Sequence, residues 1–144
     1  MSTMTIGRLA QLGDVTPDTI RFYEKLKLIH PPERSRSGYR QYNDEALLRL
    51  SFIKRAKTLG FSLDEIKKLL ALDAKRNARC GEMLDITNAK LAETRANVRD
   101  LSRIRSILSQ LTADCPGDAS PIDDCPILAF LRAPKPRLKA KSRN

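Results

Sequence analysis

No run of apolar residues in this chain approaches the roughly 20 needed to span a bilayer, which excludes a membrane-spanning helix. The N-terminal stretch MSTMTIGRLA has no apolar signal region, so a cytoplasmic location is expected. No nucleophile–base set and no phosphate-cradling Gly loop occurs, and the chain does not read as an enzyme. There is no internal repeat and no Trp, and aromatic residues make up only 5% of the sequence. Cysteine is scarce as well. The three present, Cys80, Cys115 and Cys125, leave one thiol over in any intrachain disulfide scheme, and a reducing cytosol disfavours a structural disulfide. Acid is the last shortage: 17 Asp and Glu face 27 Lys and Arg, for a formal net charge of +10. A basic chain of this kind points to a polyanionic partner, with nucleic acid first.

The 144 residues present suffice for one modest core, or for a small domain with an extension. In TIGRLAQLG, Ile6, Leu9, Ala10 and Leu12 recur at helical spacing and Gly13 reads as a helix stop. In DVTPDTIRFYEKLKLI, Thr16 can cap a second helix and Pro17 suits its first position, with Val15, Ile20, Tyr23 and Leu26 as a buried side. Two helices across a tight turn make a helix-turn-helix. Two prolines in HPPERSRSGYRQYN break the helical pattern, and RSGYRQY reads as a hairpin turning at Ser37 and Gly38. A third helix starts on Asn43 or Asp44 and stops at Gly60, with Ala46, Leu47, Leu50, Ile53 and Leu59 at helical spacing. A fourth opens with a capping box, Ser62 and Glu65. From Cys80 to about residue 111 nothing interrupts helix, and Leu84, Leu91, Val98, Leu101, Ile104, Leu108 and Leu111 form a thin apolar seam suited to a partner helix. A Pro/Gly/Asp loop, a short apolar helix in CPILAFLR and a basic, Pro-rich tail expected to be disordered complete the chain.

The second helix carries Thr16, Thr19, Arg21, Tyr23 and Lys25 as candidate phosphate anchors and base-edge readers. The hairpin adds Arg34, Arg36, Tyr39 and Arg40, the composition of a wing that touches the phosphate backbone. Two such heads on a two-fold axis imply a pseudo-palindromic operator on double-stranded DNA. Three stretches in order, TIGRLAQLGDVTPDTIRFYEKLKLI, RSRSGYRQYN and LRLSFIKRAKTLGFSLDEIKKLL, resemble the MerR family of transcriptional regulators, closely over residues 5 to about 72 and more loosely to the cysteine loop. The resemblance implies a winged-helix head, an antiparallel coiled-coil homodimer, and an activator that distorts promoter DNA for RNA polymerase when its effector binds.

A helix from residue 80 to about 111 is roughly 45 Å long at 1.5 Å per residue, so Cys80 and Cys115 of one chain lie at its opposite ends. In the antiparallel pair that the resemblance implies, Cys80 of one subunit meets the loop of the other, and two three-thiolate sites result. Three thiolates select soft or borderline ions such as Zn(II), Cd(II), Pb(II) and Hg(II). Asp118, Asp123 and Asp124 can add oxygen ligands or make turns. Metal-sensing members of the family carry one cysteine at the start of the dimerisation helix and two around a C-terminal loop, and Cys80, Cys115 and Cys125 match those positions. Copper(I) and gold sensors lack the helix cysteine, so Cys80 points to a divalent ion. The loop is similar to that of the zinc-responsive ZntR-type branch, but Pro116 and Ser120 stand where that branch has a cysteine and a histidine. The set also resembles cadmium (CadR-like), lead (PbrR-like) and mercury (MerR-like) sensors, and Zn, Cd and Pb rank ahead of Hg. His30, at the end of the reading helix, is read as structural.

The expected architecture is therefore mainly α. A winged helix-turn-helix head occupies residues 1–75, an antiparallel coiled-coil dimerisation helix 76–112, a metal-binding loop and short helix 113–133, and a basic tail 134–144. Two rivals remain open: a thiol-redox regulator with a Cys115–Cys125 disulfide, and a nonspecific basic DNA-packaging protein.

Overall fold

Local capping chemistry defines the helices of the N-terminal half. Thr5 accepts the backbone N–H of Arg8 and starts α1 (Ile6–Gly13). Thr16 accepts that of Thr19, with Pro17 at the first position of α2 (Pro17–Lys25). Asn43 accepts that of Ala46 and starts α3 (Asp44–Thr58). Ser62 and Glu65 close a reciprocal box at the head of α4 (Leu63–Ala74), with Ser62 N–H donating to Glu65 Oε1 at 2.7 Å and Glu65 N–H to Ser62 Oγ at 3.2 Å. Each side chain supplies an acceptor to amides that the helix leaves unpaired, and such a cap is worth about 0.5–2 kcal/mol. The computed structural model describes residues 3–134, apart from the side chains of Glu33 and Arg40, and the expected disordered tail, residues 134–144, lies outside the described residues from position 135 onward.

A three-stranded antiparallel sheet in the order β1-β3-β2 sits beside the helices. It comprises β1 (Thr3–Met4), β2 (Glu33–Arg34) and β3 (Arg40–Asn43). The β2–β3 pair, with Arg34 opposite Arg40, is the expected hairpin. Its turn closes through Gly38 N–H to Ser35 O at 2.9 Å, and Gly38 has φ +86°, which glycine adopts at no steric cost. Strand β1, which pairs Met4 with Tyr42, is too short to leave a period in the sequence.

Leu9, Ile20, Leu28, Ile29, Tyr42, Leu50, Ile53 and Ile66 are fully buried and form the centre of the core between α1, α2, α3, α4 and β3. Leu59, expected on the buried face of α3, is 66% exposed, because α3 ends at Thr58 and Leu59 is already its C-cap. Helix α1 does end at Gly13, but the left-handed residue is Asp14, with φ 54°. The glycine answers a different need. A Cβ there would stand 2.2 Å from Leu50 Cδ2, so any side chain at position 13 would have to displace Leu50 for the α1–α2 turn to lie on α3 as it does. Lys54, also on α3, closes the same turn by donating to Gly13 O at 3.3 Å, Asp14 O at 3.0 Å and Asp14 Oδ2 at 3.0 Å.

The chain divides into two compact units, Met1–Lys90 and Leu91–Asn144. Helix α5 (Cys80–Asp114) contributes to both, and its 35 residues rise about 52 Å. Within the first unit, Met83 and Ile86 pack against the core and Lys90 is buried. In the second unit Leu91, Val98, Leu101, Ile104 and Leu108 are exposed. An uncovered apolar seam on a long helix is the surface of a dimerisation helix. A loop with one 3-10 turn (Ile122–Asp124) leads to α6 (Pro126–Arg132), the short helix expected from CPILAFLR. Among the described residues no helix is long and apolar enough to cross a membrane.

Candidate nucleic-acid interface and thiol site

Helix α2 turns one face into the core and the other to solvent. Arg21, Phe22, Lys25 and Thr16 are exposed and Thr19 is half-buried. Arg21 Nη1 lies 2.8 Å from Asp18 Oδ1, an exposed pair. Such pairs are worth about 0–1 kcal/mol, so Asp18 holds the guanidinium in place without committing it. The hydroxyl of Thr16 caps α2 and lies 2.9 Å from that of Thr19, which fixes both side chains at the N-terminus. Tyr23 differs from the expectation of a reader. It is 6% exposed and belongs to the core, because its position one residue beyond Phe22 turns it to the buried face.

The wing presents Tyr39, 72% exposed, together with exposed Arg34 and Arg36. Arg34 Nη1 donates to Gly38 O at 3.1 Å and stiffens the turn. Arg40 faces Arg34 across the ladder, and the phosphate contact expected of its side chain lies outside the described residues. Tyr42, at the end of the RSGYRQY stretch, is buried, and its hydroxyl donates to Glu24 Oε2 at 2.5 Å. This bond ties β3 to the C-terminal turn of α2, so wing and reading helix are held together. Glu24 and Lys54 carry no motif that marks them, and only the tertiary contact reveals them. His30 is exposed and lines an open cleft of about 430 Å³ with Gln41, Glu45 and Arg49.

Cys80 is the first residue of α5, and it is exposed. The first turn there is held by Glu82, which accepts Arg79 N–H at 2.8 Å and pairs with Lys75 at 3.2 Å. Those two contacts, the backbone bond first, keep the Glu82 carboxyl below its usual range. Cys115 directly follows α5, and Cys125 occupies the N-cap position of α6 with Pro126 next to it. Both are half-buried free thiols within the second unit. The Cys125 thiol is held below its ordinary value, first by the backbone N–H of Leu128, then by that of Ile127 and by the Cys115 thiol. No full side-chain cap bond closes at Cys125, so the effect is that of N–H dipoles aimed at the sulfur. The thiolate is the form that binds soft metals and reacts with oxidants, and these amides favour it.

Asp118 accepts both the N–H of Ser120, at 2.9 Å, and its hydroxyl, at 2.5 Å. The hydroxyl and then the amide hold its carboxyl below the usual range, as a turn-forming aspartate. Asp123 Oδ1 pairs with Arg132 at 3.3 Å, which ties the loop to α6. Among the described residues of one chain no three His, Cys, Asp or Glu side chains come together to hold a metal ion. One chain therefore supplies a thiol pair, Cys115 with Cys125, and not a three-ligand set.

Residues 4–73 match the MerR HTH family of regulatory proteins, and residues 47–111 match the MerR DNA-binding family. The mercuric resistance operon regulatory protein of Bacillus cereus is 43% identical over 126 residues, which cover 88% of this chain and 95% of that protein. The chain belongs to the MerR family. The HTH-type transcriptional regulator ZntR of Escherichia coli K12 is 38% identical over 128 residues, covering 88% of this chain and 90% of that one. The transcription regulator PbrR691 from Ralstonia metallidurans CH34, solved in complex with lead(II), superposes with a TM-score of 0.77 at 35% identity, covering 89% of this chain and 98% of that one. The α1–α2 pair, the hairpin and α3 thus form the head of a MerR helix-turn-helix regulator.

Proposed function

We propose that this chain is a metal-responsive transcriptional regulator of a heavy-metal efflux or resistance gene. The observation that carries the reading is the Cys115–Cys125 thiol pair, with Cys125 set beside the Leu128 and Ile127 amides at the start of α6. The chain's similarity to a mercuric resistance regulator and to a lead-bound regulator supports it. The protein acts as a homodimer through α5, on a pseudo-palindromic promoter operator, together with RNA polymerase. Cys80 of one subunit joins Cys115 and Cys125 of the other, and this three-thiolate set selects a divalent soft or borderline ion: Zn, Cd or Pb ahead of Hg. The head of residues 1–75 contacts DNA through Thr16, Thr19, Arg21 and Lys25 on α2 and Arg34, Arg36, Tyr39 and Arg40 on the wing. The helix of residues 76–112 dimerises, and residues 113–133 hold the ion.

An effector can shift a two-state dimer only if it binds one state more tightly. Metal is therefore needed for activation and not for operator occupancy. Titration of the reduced protein with Zn(II), Cd(II), Pb(II) and Hg(II), beside transcription from its own promoter region, tests the reading. Binding without a transcriptional response to any of the four would overturn it. A mixed dimer of one Cys80→Ser chain and one Cys115→Ser chain tests the shared site. Both lesions fall in one site, so about one ion per dimer is retained with near-native affinity, as for an intact three-thiolate set. Loss of all tight binding sinks the shared arrangement. The same thiol pair supports a second reading, a redox regulator that forms a Cys115–Cys125 disulfide. A mass decrease of about 2 Da on oxidation, with an altered transcript level and no metal bound to the reduced protein, would favour it.

A further inference from the structure

Lys90 is the one buried charged residue among the described residues, at 8% exposure. It completes a stripe on α5, with Met83 and Ile86 at helical spacing before it, by which α5 packs on the first unit. It is also the last residue of that unit. Leu or Met would serve there if packing were the only need, since an apolar side chain carries no desolvation cost at a buried position. The ammonium instead lies 2.9 Å from Glu65 Oε1 and 5.4 Å from the centre of the Phe61 ring. Oε1 is the same oxygen that accepts Ser62 N–H in the capping box of α4. One atom thus holds the start of α4 and the point at which α5 leaves the head.

The two kinds of contact differ in what they fix. Apolar packing by Met83 and Ile86 is non-directional and tolerates sliding or rotation of a helix. An ion pair onto a carboxylate that is itself held by a backbone amide tolerates little of either. We propose that Lys90 is a positioning residue that fixes the register of α5 on the DNA-binding head, so that a displacement of α5 is passed to α4 through Glu65. This rests on the metal-responsive reading only for what displaces α5. The register itself rests on the contacts of Lys90, Glu65 and Ser62.

Two measurements on the full-length chain separate those parts. Spin labels are placed at Lys67 and Asn88, with Cys80, Cys115 and Cys125 replaced by serine and labelled chains diluted into unlabelled ones. They report the α4–α5 distance without metal. A narrow distribution is expected, broadened or shifted by Lys90→Met and restored by Lys90→Arg. On the native cysteine background, Lys90→Met is expected to keep operator affinity and metal binding within about twofold, while the ratio of transcription with and without metal falls by roughly 2- to 30-fold, the range of a coupling loss of 0.5–2 kcal/mol. Glu65→Gln, which keeps an oxygen for Ser62 N–H and removes the charge, is expected to act in the same direction. An unchanged distance distribution in Lys90→Met overturns the proposal whatever the metal does. A changed distribution with a full transcriptional response overturns the coupling. A changed distribution in a protein whose wild type responds to no metal overturns the metal reading and leaves the register assignment standing.

Discussion

The two units of this chain solve the problem of apolar surface in opposite ways. The first buries fourteen apolar residues, from Leu9 to Leu70, under four capped helices and a small sheet. Beyond Leu91 no described residue is buried, although Val98, Leu101, Ile104, Leu108, Phe130 and Leu131 are large and apolar. The head is complete as a single chain, and the second unit is half of an interface. The same hydrophobic effect stabilises both, but in the second it depends on protein concentration.

The strongest test of that contrast is the pair Leu101→Asp and Leu108→Asp. A two-fold interface loses four side chains, each worth about 1.5–3 kcal/mol when buried. Dimerisation followed by sedimentation should weaken by more than about 10,000-fold, while the head keeps its helical signal. A dimer that survives would break the comparison. Leu50→Ala should act on the other side, lowering stability of the head by about 2–5 kcal/mol in denaturant titration. Gly13→Ala should cost about 1–3 kcal/mol, because the new methyl group meets Leu50 and must displace it. Arg21→Ala should leave stability within about 0.5 kcal/mol, weaken operator binding, and reduce its salt slope by about one. An unchanged slope would remove Arg21 from the interface.

The smallest effect is a pH dependence. Glu65 ionises near pH 2 in the folded chain, lowered from 4.5 by the Ser62 amide first and then by Lys90. A depressed carboxyl stabilises the fold fully above the unfolded value, and the contribution is lost as pH falls through the folded one. The stability gap between wild type and Glu65→Gln should therefore be constant above about pH 5 and shrink steadily towards pH 2. A gap independent of pH over that window would show that Lys90 does not read the charge.

The sequence announces what is local. Thr16, Asn43 and Ser62 are legible as caps because each bonds within three residues, and the wing turn is legible because Gly38 and its neighbours close it alone. What stayed hidden depends on contacts across long separations. Tyr42 and Tyr39 look alike in RSGYRQY, yet one reaches back eighteen residues to Glu24 while the other points to solvent. Tyr23 reads equally well as a DNA contact and as core. Only the packing of α2 on the core decides. For the thiols, spacing reveals the separation between Cys115 and Cys125. It says nothing of the amides of Ile127 and Leu128 that lower one of them, because those act only once α6 has formed.

The α1–α2 turn takes its closure from elsewhere. Leu50 fills the space left by Gly13, and Lys54 ties off the carbonyls of Gly13 and Asp14, and both belong to α3. The reading element is therefore not a portable cassette. A peptide of residues 5–26 would carry the α2 groups suited to touch DNA and lack both the wing and the two side chains that hold its elbow, and grafted onto another scaffold it would inherit that scaffold's angle. Substitution at the exposed α2 positions Arg21 and Lys25 leaves the core contacts of Ile20 and Tyr23 in place. Moving α2 to a new protein requires moving α3 with it.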